Sequence, residues 1–184
     1  MAEKILIVVD MQNDFVTGAL GSPEAVEIVP RVVQRVQEGV ERGETVLFTR
    51  DTHGPDYLET QEGKKLPVPH CIRGSEGWDI IPQLQEYAAN PIDKPTFGSR
   101  ALGALLLARD EDLRKQGMPG VEKVTFLGVC TDICVISNAL LVKAFLPEAE
   151  IFVEYAVWGM MAVYESWFNS QRSTPLEEIS QKLS

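Results

Sequence analysis

What this chain has little of narrows its chemistry before any motif is read. It carries only two histidines, His53 and His70, and three cysteines, Cys71, Cys130 and Cys134, in 184 residues. Three cysteines do not make a disulfide framework, so each is read first as a small buried apolar residue and then as a ligand or nucleophile. No apolar run approaches the roughly 18 residues that a membrane-spanning helix requires, and no membrane partner is expected. Positive charge is also scarce: 17 Lys and Arg stand against 27 Asp and Glu, for a formal net charge of −10. Phosphate backbones are bound through a cationic surplus, so no nucleic-acid partner is expected and small-molecule chemistry is favoured. The opening residues Met1 to Lys4 run straight into a strand pattern, without the basic, apolar and cleavage regions of a secretory signal. A cytoplasmic location is the corresponding expectation.

What is present reads as one α/β domain over residues 1–184, since an apolar fraction of 45% and a charged fraction of 24% are those of a globular chain. Lys4 to Asp10, KILIVVD, is a continuous apolar run ending in a carboxylate, the mark of a central parallel strand covered on both faces. Val29, Val32, Val33, Val36 and Val40 then recur at helical spacing, with Gly43 as the stop. Further strands are read at Glu44 to Arg50, Pro91 to Lys94, Val121 to Gly128 and Glu150 to Glu154. A second helix carries Leu102, Leu105, Leu106 and Leu113, and a third presents Ile133, Ile136, Leu140 and Ala144 as its apolar stripe. Residues 51–91 are rich in Pro, Gly and charge, with a weak helical pattern from Trp78 to Tyr87. The alternation predicts a three-layer αβα, Rossmann-like open sheet of about five or six mainly parallel strands. Such sheets place their sites beyond the carboxyl ends of the strands, where Asp10, Asp51, Lys94 and Cys130 to Cys134 would meet.

Cys134 is the candidate nucleophile, because Thr131 or Asp132 can cap the following helix and set the sulfur in its first turn, where partial positive charge lowers a thiol pKa. Unpaired N–H groups of that turn could receive an oxyanion. The plain alternative is a small core residue of a buried helix. Asp10 could equally cap a turn and Lys94 could be a solvated lysine. Together with Cys134 they supply the base and the countercharge that an attacking thiol in a dry cleft needs. Asp51 and His53 alternate along an extended segment and point the same way. With His70 and Glu62 they form a donor set suited to Zn²⁺, Mn²⁺ or Fe²⁺. Two loop histidines bonded only to nearby groups are the competing reading.

These residues carry a resemblance. ILIVVDMQNDF at 5–15, TRDTH at 49–53, LPVPHCIRGSEGWDI at 66–80, DKPTFGS at 93–99 and LGVCTDICV at 127–135 resemble the nicotinamidase-related cysteine hydrolases of the isochorismatase-like superfamily. The resemblance implies an Asp10, Lys94, Cys134 triad and a cis Val129–Cys130 peptide. It also implies an oxyanion hole from the backbone N–H groups of Cys130 and Cys134, and a divalent metal, zinc foremost, on Asp51, His53 and His70, with Glu62 as fourth ligand and Glu59 its competitor. It implies Phe15 as a wall of the substrate pocket, a small carboxamide such as nicotinamide as substrate, and a homo-oligomer. Isochorismatase chemistry itself is disfavoured, since that vinyl-ether hydrolysis does not use the nucleophilic cysteine present here. Two departures stand out. Pro67 occupies the place, three residues before His70, where nicotinamidases carry an aromatic ring. Residues 156–184, with Trp158, Met160, Met161, Tyr164, Trp167 and Phe168, match nothing in the family pattern. The alternatives are an amidase for an N-carbamoyl or ureide substrate, and a catalytically weakened metal-binding or interaction protein on the same fold.

Overall fold

Every apolar run read as a strand is one. The computed structural model describes residues 2–156. Along the chain lie β1 (Glu3–Val9), α1 (Asn13–Val16), α2 (Pro23–Glu41), β2 (Thr45–Asp51), α3 (Gln61–Lys65), β3 (Ile92–Lys94), α4 (Arg100–Lys115), β4 (Val121–Gly128), α5 (Ile136–Phe145) and β5 (Glu150–Ala156). The strands form one parallel sheet in the order β3-β2-β1-β4-β5. Ile5 to Val9 of the central strand are buried on both faces, which is why that run shows no polar alternation. Truncating one such side chain, as in Leu6→Ala, would cost about 2–5 kcal/mol.

The helices start where the sequence supplies caps. Ser22 accepts a hydrogen bond from the Ala25 N–H ahead of α2, and Ser99 accepts one from the Leu102 N–H ahead of α4. Pro23 opens α2 where its missing N–H costs nothing, and Gly43 follows its end at φ 72°, the left-handed turn that glycine allows. The parallel pairing makes α2, α4 and α5 crossover helices, for which right-handed connections are the rule; α2 packs on β2, and α4 and α5 pack against each other. Residues 52–91 are compacted by α3 and by short 3₁₀ segments at Tyr57–Glu59, Glu76–Trp78 and Pro82–Tyr87.

One helix face differs from the sequence reading. On α5, Ile136, Leu140 and Ala144 face outward, and Asn138, Ala139 and Val142 are buried instead. The cause is the entry: Thr131–Val135 forms a π turn rather than the first turn of an α-helix, and its wider winding rotates everything that follows.

Strand order reverses at β1, with β2 on one side and β4 on the other, so a crevice opens beyond their carboxyl ends. Gly128 ends β4 at φ 139° in register with Val9, and a Cβ there would run into the Val9 carbonyl. The two backbones therefore close up at the floor of the crevice. No helix among the described residues is long and apolar enough to cross a membrane. The aromatic segment from Trp158 to Phe168 lies outside the described residues.

Candidate active site

Three strand ends deliver the candidate triad. Asp10 directly follows β1 at φ 52°, Lys94 is the last residue of β3, and Cys134 lies in the π turn after β4. Lys94 Nζ is 2.6 Å from Asp10 Oδ2, 3.6 Å from Cys134 Sγ and 3.3 Å from Asp51 Oδ1. Thr49 Oγ1 donates to the other Asp10 oxygen at 2.8 Å. Asp10 and Lys94 are wholly buried and Cys134 nearly so. Burial pushes the Asp10 carboxyl up and Asp51 adds to the push, against the pull of Lys94; the net rise makes it a stronger base than an ordinary aspartate. Burial works against the Lys94 charge, but Asp10, Cys134 and Asp51 outweigh it and hold the ammonium well above its usual value.

The nucleophile's surroundings correct two expectations. The Cys134 thiol is raised, not lowered: a hydrogen bond with the Cys130 side chain comes first and burial second, with Lys94 opposing. Cys130, not Thr131 or Asp132, takes the capping position, without a side-chain cap bond, and the wider π turn it opens runs directly into α5. The resting sulfur is therefore a thiol that needs a base, and Asp10 lies across Lys94 from it. The second correction concerns the Val129–Cys130 peptide, which is not cis. Cys130 turns the chain instead, at φ 57° and ψ 61°.

On the other side of Asp51 lies the metal-ligand set. Asp51, His53 and His70 are buried, and one donor atom from each lies within 4.8 Å of the others. His70 Nδ1 donates to the Val68 carbonyl at 2.8 Å, which leaves Nε2, 3.6 Å from Asp51 Oδ2, as the nitrogen a metal would take. His53 Nε2 is 2.8 Å from Asp51 Oδ2 but is not aligned as a hydrogen bond, and this buried nitrogen has no hydrogen-bond partner. Two imidazole nitrogens and a carboxylate oxygen converging in this way fit a divalent transition metal. Asp51 suits the role: burial would raise its carboxyl, but Lys94 first and the imidazoles next hold it below the ordinary carboxylate range. Glu62 Oε1 sits at the margin, 4.0 Å from His53 Nε2 and 3.9 Å from His70 Nε2, whereas Glu59 is exposed and outside the cluster. Phe15 is buried, edge-on to His70 with centroids 5.5 Å apart; Pro67 is exposed.

Sequence reasoning missed three supports of this arrangement. The Tyr57 ring packs against both imidazoles, at 4.7 Å from His53 and 5.0 Å from His70, with its hydroxyl donating to the Leu66 carbonyl. Asn138 donates to the Cys134 and Phe97 carbonyls and accepts from the Ser99 N–H, tying the nucleophile's turn to the loop after β3. Gln12 joins the loop after β1 to the Asp51 backbone. Of the three, only Gln12 left a signal, as a polar residue inside the matched segment at 5–15.

The Isochorismatase domain model matches residues 4–154. A nicotinamidase of Schizosaccharomyces pombe is 29% identical over 164 residues, spanning 73% of this chain and 74% of its own. Among solved structures, the pyrazinamidase of Pyrococcus horikoshii in complex with zinc superposes with TM-score 0.63 at 25% identity, over 91% of this chain and 95% of that one. The N-carbamoylsarcosine amidase of Thermoplasma acidophilum gives 0.62 at 26% identity, over 82% and 80%. With the family model spanning all five strands and the whole rim that holds Asp10, Asp51, Lys94 and Cys134, the chain belongs to the isochorismatase family.

Proposed function

We propose that this protein is an amidohydrolase that cleaves a small carboxamide, nicotinamide to nicotinic acid and ammonia in the simplest case, through a thioester on Cys134. The observation that carries this reading is the position of Lys94 Nζ, 2.6 Å from a buried carboxylate and 3.6 Å from a buried thiol. Asp10 takes the thiol proton, and Cys134 Sγ adds to the amide carbon. The oxyanion is received by the Cys130 and Cys134 backbone N–H groups. As the intermediate collapses, the C–N bond breaks and Asp10 returns the proton to the leaving nitrogen, releasing ammonia. Water then gives a proton to Asp10 and adds to the thioester, and the C–S bond breaks to free the acid. The proton passes from Asp10 back to the sulfur. Lys94 keeps Asp10 ionised between proton transfers and holds it toward the sulfur.

A divalent metal on Asp51, His53 and His70, with Glu62 near the fourth position, would supply an anchor for a donor atom of the substrate and so orient the amide. Zinc is the first choice, given the donor set and the zinc in the Pyrococcus horikoshii relative. Phe15 beside His70 would form one wall for a flat ring.

A second reading, an N-carbamoyl or ureide substrate, draws on Pro67. This exposed residue offers no ring opposite Phe15, and the Thermoplasma acidophilum amidase shares the architecture. Ammonia release from nicotinamide and from N-carbamoylsarcosine, each with added Zn²⁺, Mn²⁺ or Fe²⁺, separates the two. Turnover of nicotinamide supports the first reading, turnover of the carbamoyl compound alone moves the assignment to the second, and ammonia formed equally fast by Cys134→Ala would sink both.

A further inference from the structure

Gln12 is fully buried three residues past the end of β1, and its side-chain amide bonds only to backbone. Its Oε1 accepts from the Asp51 N–H at 2.7 Å, while its Nε2 donates to the Asp51 carbonyl at 2.9 Å and to the Trp78 carbonyl at 2.8 Å. The amide thus offers Asp51 the donor and acceptor pair that a neighbouring strand would offer. It does so where no strand is left: pairing of β1 with β2 stops at Val9 and Thr49, two residues before Asp51. On the far side Asp51 is in register with Lys94 of β3. Gln12 is itself fixed, its N–H bonded to the Asp10 carbonyl at 2.7 Å and its backbone bridged to Ile80.

The residue gripped in this way is the one that both halves of the site share. Asp51 Oδ1 lies 3.3 Å from Lys94 Nζ, and Asp51 Oδ2 lies 2.8 Å from His53 Nε2 and 3.6 Å from His70 Nε2. A carboxylate serving two partners on opposite sides has little freedom to re-aim, so its backbone must be set to within roughly 0.5 Å. We propose that Gln12 is a positioning residue for Asp51, holding its main chain so that one carboxylate oxygen faces the metal ligands while the other faces Lys94. This rests on the metal reading given above. Gln12 touches neither the metal ligand atoms nor the reacting sulfur; it acts through Asp51.

Zinc affinity of the full-length chain tests it, measured by competition with a chromophoric chelator. Gln12→Met keeps the length of the side chain and removes all three bonds, while Gln12→Glu keeps the acceptor and sets a carboxylate against two carbonyls. Both are expected to weaken zinc binding about 10- to 100-fold, the usual consequence of losing a partner behind a metal ligand. Cys134→Ala, outside the metal-ligand set, is expected to bind zinc as the wild type does. If a variant is too unstable for titration, the zinc-induced rise in its melting temperature replaces the affinity, and a smaller rise than in the wild type supports the role. Wild-type zinc affinity, or an undiminished zinc-induced rise, in both Gln12 variants would overturn it and make Gln12 a purely structural residue. A wild-type chain that takes up no zinc would instead overturn the metal reading, and this inference with it.

Discussion

The two ends of the sheet are built on opposite terms. At the amino end, charged groups pair close to their own strands: Glu3 Oε1 accepts from Thr45 Oγ1 at 2.7 Å and from Arg109 Nε at 2.6 Å. There Asp110 accepts the Val121 N–H at 2.7 Å and pairs with Arg114 at 2.7 Å. At the carboxyl end, Asp10, Cys71 and Cys130 all take positive φ without being glycine, and carboxylates, a lysine and a thiol are packed away from water. Positive φ at such residues costs of order 1–3 kcal/mol each and persists only where the surroundings enforce it. One end secures the strands; the other spends stability to hold reactive groups in place.

That contrast can be broken or sharpened by mutation. The largest effect is expected for Cys134→Ala, which should lower amide turnover by about 10⁴-fold or more while leaving the urea midpoint nearly unchanged. Full stability with full activity would contradict the division. Lys94→Met should cut turnover by at least about 100-fold and also cost about 3–5 kcal/mol, because Asp10 and Asp51 are left buried without their cation. Urea unfolding followed by circular dichroism measures this. At the amino end, Arg109→Ala should leave kcat/KM untouched and lower stability by only about 0.2–1 kcal/mol, as expected of a half-exposed pair. The smallest change is a pH effect. Arg114 first, and the Val121 N–H after it, hold the folded Asp110 carboxyl below its ordinary value near 3.8. Its contribution is therefore present above that value and lost as pH falls through the lowered one. The stability gap between wild type and Asp110→Asn should be open at pH 7 and close in acid; a gap that widened in acid would reverse the sign.

Much of this was legible in the chain itself, and what was not has physical causes. The strands could be read because a parallel sheet covered on both faces demands unbroken apolar runs, as in Ile5 to Val9. Asp10, Lys94 and Cys134 could be brought together because strand ends in such a sheet share a rim. The face of α5 was misread because the π turn at 131–135 shifts its phase and because its buried stripe contains Asn138, a polar residue that breaks the apolar pattern. Its satisfaction by Ser99, Phe97 and Cys134 could not be anticipated from spacing. Gln12 was missed as a support because a side chain bonding to backbone 39 residues away leaves no periodic trace. The raised Cys134 thiol depends on the side-chain contact with Cys130, which follows from a single left-handed residue that nothing in the composition announces.

The edge strand β3 is only three residues long and pairs with β2 only through Thr49 to Asp51. A strand that short, on its backbone alone, would fray early and often. It is kept down by its last side chain, whose ammonium is locked between Asp10, Asp51 and Cys134 in the middle of the molecule. Lys94 is in this sense a rivet as well as a countercharge. Asp93 beside it pairs with Arg50 and Arg73 near the surface. The site and the sheet edge are therefore expected to open together, and amide hydrogen exchange in β3 would gauge how often the assembled triad comes apart.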